Sequence, residues 1–167
     1  MTKIGNAYRW RHDNILQRPI NFSWVVDRRL AGCGLPTTRE ECEWLVNIMG
    51  IISIITVREE PLPKSWIMKN KIEYLHLKVD DFSSPTIEEL DNTVDYMIDK
   101  IGEDKPTLVH CLAGRGRTGI VLAGYIIKNE KINAQRAIEK VRILRPGSIQ
   151  TDQQENTLYH YENFIKQ

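Results

Sequence analysis

A chain of 167 residues carries 23 basic and 22 acidic side chains, a formal charge of +1. That length suits one well-buried domain rather than two, and the near-neutral balance excludes a broad field drawing it to nucleic acid or anionic lipid. Any anion recognition must therefore be local. Three cysteines, an odd count, argue against a framework of bridges and for reduced thiols in the cytoplasm. The opening MTKIGNAYRWRHDN lacks the apolar core of a signal peptide, and GIISIITV and GIVLAGYII are too short to span a bilayer. The sequence therefore reads as a cytoplasmic monomer without a membrane or nucleic-acid partner.

Residues 1–20 show no clear period and are read as an arm, with the domain running over 21–167. FSWVV and RLAGC flank Asp27-Arg28-Arg29 as two short strands. Thr37 to Glu41 offers a capping box, after which Cys42, Leu45, Val46 and Met49 recur at helical spacing. Strands are expected over 50–57 and 73–79. A helix opened by Thr86 carries the stripe Ile87, Leu90, Val94, Met97, Ile98 and Ile101. Residues 107–111 read as a buried strand, 120–129 as an almost wholly apolar helix, and two further helices follow over 134–144 and 151–164. Strands alternating with helices in this way predict a single α/β domain with a mostly parallel sheet of four or five strands flanked by helices.

The chemistry centres on HCLAGRGRTG, residues 110–119. Cys-x5-Arg spacing alone is weak, because Cys33 and Arg39 share it. Around Cys33, Pro36 removes a backbone donor and the capping box makes Arg39 an ordinary first-turn residue, so that copy is structural. Around Cys111 a strand leads in, Gly114 and Gly116 permit a tight turn, and an apolar helix follows. The amides of Leu112, Ala113, Gly114, Arg115, Gly116 and Arg117 can then form an anion nest, closed by the forked Arg117 guanidinium. The same field favours a thiolate at Cys111, which is read as a nucleophile. His110 is read as orienting the loop through a hydrogen bond rather than as a general base.

Expelling an alkoxide or phenoxide from phosphorus needs a proton donor. Asp80-Asp81-Phe82 follows a strand, at the edge where open α/β sheets bind ligands. Spacing does not choose between the two aspartates, nor between catalysis and helix capping.

HCLAGRGRTG, DDF upstream and RPGSIQTDQQ downstream together resemble the cysteine-dependent dual-specificity protein phosphatases, particularly the small stand-alone atypical kind, from residue 21 nearly to the C-terminus. The resemblance implies the phosphatase-type fold with a Cys-x5-Arg P-loop, Cys111 as nucleophile, Arg117 as phosphate binder and Thr118 as the hydroxyl that helps the thiolate leave. It selects Asp81 as the general acid, with Asp80 standing where the group often has proline. Gln154 matches a glutamine that positions the hydrolytic water in some relatives, while Thr151 to Gln154 also reads as a capping box. Glu59 matches an acid that could brace the arginine, but is read first as a solvated charge. Arg145 is read as structural before substrate-binding, and Arg115 as outward-facing.

The implied reaction is hydrolysis of phosphotyrosine, and of phosphoserine or phosphothreonine, in proteins or peptides through a phosphocysteine. No His/Cys cluster has metal-ligand spacing, so no metal or other cofactor is expected. The alternatives are a non-catalytic phosphate-binding module, a sulfur-transferase loop, and a phosphatase for phosphoinositides or RNA 5′-triphosphates, the last favoured by Arg115.

Overall fold

A computed structural model describes residues 17–167, so residues 1–16 of the expected arm lie outside the described part. Strands β1 (Ser23–Val26), β2 (Leu30–Cys33), β3 (Ser53–Val57), β4 (Glu73–Leu77) and β5 (Thr107–His110) form one sheet. Its order is β1-β2-β5-β3-β4. Only β1 runs antiparallel, as a hairpin on β2; the other pairings are parallel. Every residue of the central strand β5 is buried, and so is every residue of β3. Strands covered on both faces carry apolar or small residues almost throughout, which explains their continuous apolar runs.

The six helices among the described residues are α1 (Arg39–Asn47), α2 (Lys64–Asn70), α3 (Ile87–Gly102), α4 (Gly116–Glu130), α5 (Ala134–Leu144) and α6 (Asp152–Ile165). Alternation along the strands divides the core. Ile55, Val57 and Val109 face a cluster with Leu90 and Val94 of α3, Ile120 of α4, Val141 of α5 and Leu158 of α6. Ala31, Cys33, Ile54 and Leu108 face the opposite way, against Cys42 and Leu45 of α1 and Trp66 of α2. Helix α4 is buried from Gly116 to Ile127 because it lies beneath α3, α5 and α6 against the sheet. That is why its sequence is apolar on all sides.

Two expectations are corrected. Helix α2 was not anticipated: its seven residues follow Pro63, contain no fully buried residue and show too little period to read. Helix α4 begins at Gly116 rather than near 120, so Arg117 and Thr118 stand in its first turn. The two glycines there lower helix propensity and mask the start.

The chain folds so that the C-terminal ends of β2, β5, β3 and β4 lie along one edge. The loops at Gly34, Cys111, Arg58–Glu60 and Lys78–Pro85 all leave from that edge. This crevice is where open α/β sheets place ligands.

Candidate active site

Cys111 leaves the end of β5, nearly buried, and residues 112–115 carry the chain into α4. The carbonyls of this loop are all occupied. The Cys111 oxygen accepts from His110 Nδ1 at 3.1 Å, and the Leu112 oxygen from the Leu35 N–H at 2.9 Å. Asn21 Nδ2 donates to the oxygens of Ala113 (3.2 Å) and Gly114 (3.0 Å), and Arg145 Nη2 also donates to Gly114 at 2.6 Å. The Arg115 oxygen accepts from the Gly119 and Ile149 N–H groups at 2.8 and 3.4 Å. By contrast, among the described residues the N–H groups of 112–116 have no acceptor. In a planar trans peptide the N–H points opposite to the C=O. Carbonyls fixed outward therefore leave a concave row of free donors, a nest for an anion.

The two glycines of the loop are required for different reasons. Gly114 has φ +70°, and a Cβ there would lie 2.3 Å from the Cys33 oxygen. Gly116 does not need a left-handed backbone. A Cβ there would stand 2.7 Å from Gln150 Oε1 and 2.9 Å from the Gln154 amide, so it serves close approach.

Arg117 is 2% exposed. Its Nη1 donates to Glu59 Oε2 at 2.8 Å and to the Val79 oxygen at 2.9 Å, and its Nη2 lies 3.0 Å from Asp81 Oδ1. Its Nε is buried without a partner, as is Thr118 Oγ1 on the next residue. Glu59 is thus not the solvated charge expected from the sequence. Its carboxylate also accepts the Asp81 N–H at 2.9 Å, tying the arginine to the Asp81 loop. A backbone hydrogen bond at Glu59 itself, together with Arg117, pulls its pKa down to about 2, so it is charged at any ordinary pH.

Asp81 is exposed and turned toward Arg117, and its own Oδ1 accepts the Phe82 N–H at 3.0 Å. Asp80 is exposed, with its backbone oxygen accepting from Ser83. Gln154 is fully buried. Its Oε1 accepts from the N–H groups of Gln150 and Thr151, completing the capping box of α6, while Nε2 donates to the Ser83 oxygen at 3.2 Å. One side chain thereby caps α6, packs against Gly116 and holds the loop that carries Asp81.

His110 is buried, and burial holds its pKa down to about 4, so the ring is neutral. Because Nδ1 faces a carbonyl, which only accepts, Nδ1 carries the proton. Nε2 then accepts from Thr56 Oγ1 at 2.7 Å. Thr56 accepts from the Tyr74 hydroxyl at 2.8 Å, and Tyr74 from the Leu62 N–H at 2.8 Å. A chain of donors thus runs from the β3–α2 loop to the carbonyl of Cys111. Sequence reasoning missed Thr56 and Tyr74, because residues on three different strands meet only through sheet pairing. It also missed Asn21 and the Val79 carbonyl.

Arg145 is 1% exposed and donates to Ser23 Oγ and the Gly32 oxygen as well as to Gly114. Its structural role is therefore to support the loop from behind. Arg115 is half-buried with its guanidinium beside Gly147 and no polar partner among the described residues. The second Cys-x5-Arg pair is not a site. Cys33 is fully buried in β2, where burial raises its pKa, while the exposed Arg39 meets Glu40 and Glu43 on the first turns of α1.

A mostly parallel sheet with a cysteine after its central strand, an anion nest and a buried arginine on the following helix defines a cysteine-dependent phosphatase. The family model for the DSP-PTPase phosphatase domain of PTP-SAK, the Swiss Army Knife protein, matches residues 19–158, and the chain belongs to this family. Protein tyrosine phosphatase domain-containing protein 1 of Bos taurus is 28% identical over 183 residues, covering 98% of this chain and 23% of its own length. Phosphatidylglycerophosphate phosphatase PTPMT2 of Arabidopsis thaliana is 29% identical over 102 residues, covering 60% of this chain and 45% of itself. The crystal structure of Tk-PTP in the active form superposes with a TM-score of 0.79 at 25% identity, covering 86% of this chain and 97% of that one. The chain thus spans less than half the length of these two curated relatives. The matched domain and these relatives support a cysteine-based phosphatase. Among the described residues no helix is long and apolar enough to cross a membrane.

Proposed function

We propose that the chain hydrolyses phosphate monoesters of proteins or peptides, phosphotyrosine and also phosphoserine or phosphothreonine, through a phosphocysteine. The observation that carries this reading is the polarity of the 111–116 loop: every carbonyl from Cys111 to Arg115 is bonded outward, and the N–H groups of 112–116 are left free. A phosphate dianion supplies the missing acceptors, and the buried Arg117 Nε gains one too.

In this mechanism the Cys111 thiolate attacks phosphorus in line. The P–S bond forms as the P–O bond to the leaving group breaks. Amides of Leu112, Ala113, Gly114, Arg115 and Gly116, with Arg117, stabilise the equatorial oxygens. The arriving dianion competes for Arg117 Nη2 and releases the Asp81 carboxylate, which takes up a proton from solvent and then gives it to the leaving oxygen. Ionised Asp81 then takes a proton from water as that water attacks the phosphocysteine and frees inorganic phosphate. Thr118, with its hydroxyl unpartnered, donates to the departing sulfur. Gln154 keeps the Asp81 loop in place through Ser83, and can face the water only by releasing a present partner. The reading takes the protein to be a cytoplasmic monomer with arm 1–20 outside the catalytic domain, in keeping with its three unbridged cysteines.

One observation favours a second reading. Arg115, beside the cradle and without a polar partner among the described residues, would suit a second phosphate on the substrate, as in a phosphoinositide.

The test is hydrolysis of an aryl phosphate in EDTA by wild type, Cys111→Ser, Asp81→Asn and Asp80→Asn. Cys111→Ser should be inactive, Asp81→Asn slower by about 10² or more, and Asp80→Asn near wild type. Retained activity in Cys111→Ser refutes the mechanism. Comparing a phosphotyrosine peptide with a phosphoinositide separates the two readings.

A further inference from the structure

The free amides of the loop are held in place from outside, and one of the residues holding them lies 92 positions away at the edge of the expected arm. We infer that Asn21 is a positioning residue of the phosphate cradle: its side-chain amide clamps the carbonyls of Ala113 and Gly114 outward and so holds the N–H groups of Gly114 and Arg115 toward the bound phosphate. The inference rests on the loop binding phosphate as described above.

The need for such a clamp follows from Gly114. Glycine crosses between positive and negative φ with little penalty, so the 113–114 peptide plane can turn over at low cost. A flipped plane would point the Ala113 carbonyl, an acceptor, at the phosphate. Of these two carbonyls Arg145 reaches that of Gly114 and not that of Ala113. At the Ala113 oxygen, Asn21 Nδ2 is the donor among the described residues. The neighbouring carbonyls differ in this respect, since Leu112 and Arg115 are held by backbone N–H groups, which only proline would remove.

Asn21 is itself fixed. Its φ of +56° is left-handed, a conformation asparagine adopts more readily than most residues. The Ile20 oxygen accepts from the Gly34 N–H at 2.8 Å, and the next residue, Leu35, donates to the Leu112 oxygen. The turn after β2 thus ties the Asn21 segment to one side and the cradle to the other, with the Gly114 backbone packed on the Cys33 carbonyl between them. Donor and target are anchored to the same turn, the one through Gly34 and the other through Leu35, so the clamp is formed before any ligand arrives.

The experiment compares wild type with Asn21→Gly and Asn21→Asp. The glycine keeps the left-handed backbone without the amide. The aspartate keeps shape and backbone preference while replacing the donor by an acceptor. The affinity for inorganic phosphate is read by calorimetry, KM and kcat with an aryl phosphate, and Tm by thermal unfolding. Both variants should bind phosphate about tenfold more weakly, the loss of one to two hydrogen bonds, with KM raised in parallel. Phosphate affinity and KM unchanged in both variants overturn the inference, and so does a fall in Tm with phosphate affinity intact, which would mark a merely structural residue. A wild type that binds phosphate but never turns over refutes the phosphatase mechanism; weaker phosphate binding in the Asn21 variants would still support the clamp.

Discussion

Replacing Thr56 by valine removes one hydroxyl from the buried donor chain that ends on the Cys111 carbonyl. Valine fills the same volume, so little packing is lost. His110 Nε2 loses its donor in a place that water does not reach, since the imidazole is fully buried. Leaving one such acceptor unsatisfied costs about 1–3 kcal/mol, which for a domain of this size lowers Tm by about 2–12 °C. The Tyr74 hydroxyl keeps its bond from the Leu62 N–H, so it adds less. Thr56→Ser, which keeps the hydroxyl and loses a methyl group, is the control. Thermal unfolding at pH 7 should rank wild type, serine and valine in falling order, and kcat/KM should fall most in the valine variant as the ring that orients Cys111 loses its second anchor.

The neutral state of His110 adds a pH dependence of known sign. Burial holds its pKa at about 4 in the folded chain against an ordinary 6.5, so between these values the unfolded chain takes up the proton first. The stability from this group is therefore complete above pH 6.5, declines as pH falls toward 4 and changes no further below. The gap corresponds to about 3 kcal/mol. A valine variant as stable and as active as the serine variant would refute the reasoning, because it would mean that the hydroxyl does not serve His110.

Glu59→Gln should leave the fold intact and lower kcat/KM by about tenfold in steady-state assays, because the charge bracing both Arg117 and the Asp81 backbone is lost. Since Glu59 titrates near pH 2, its effect should not vary between pH 5 and 8. Gly114→Ala should abolish phosphate binding and destabilise the domain by about 2 kcal/mol or more, as the added methyl meets the Cys33 carbonyl and the backbone is left-handed. Calorimetry with inorganic phosphate and a denaturant melt measure both effects.

The five strands, five of the six helices and the strand–glycine–helix setting of the candidate cradle were legible because each is written locally. Period-two and period-3.6 apolar patterns mark elements, and a strand, two glycines and a helix around Cys111 mark an anion nest. Helix α2 was hidden because seven residues packing through Trp66 and Ile67 carry no period. Glu59 was misread because a carboxylate after a strand looks the same in sequence whether it faces water or an arginine 58 residues away.

Sequence by itself therefore determined which residue types could perform the chemistry: the candidate nucleophile and arginine lie at short spacing in one loop, while the acid was narrowed to Asp80 or Asp81 and chosen through the family resemblance. Tertiary structure alone decided what holds them. The partners of the cradle carbonyls at Asn21 and Arg145, the donor chain through Tyr74 and Thr56, and the bridge from Glu59 to Arg117 and Asp81 are created when parallel strands bring the ends of distant segments to one edge. Side chains that act only through such contacts leave no local pattern, because the contact, not the spacing, is their function.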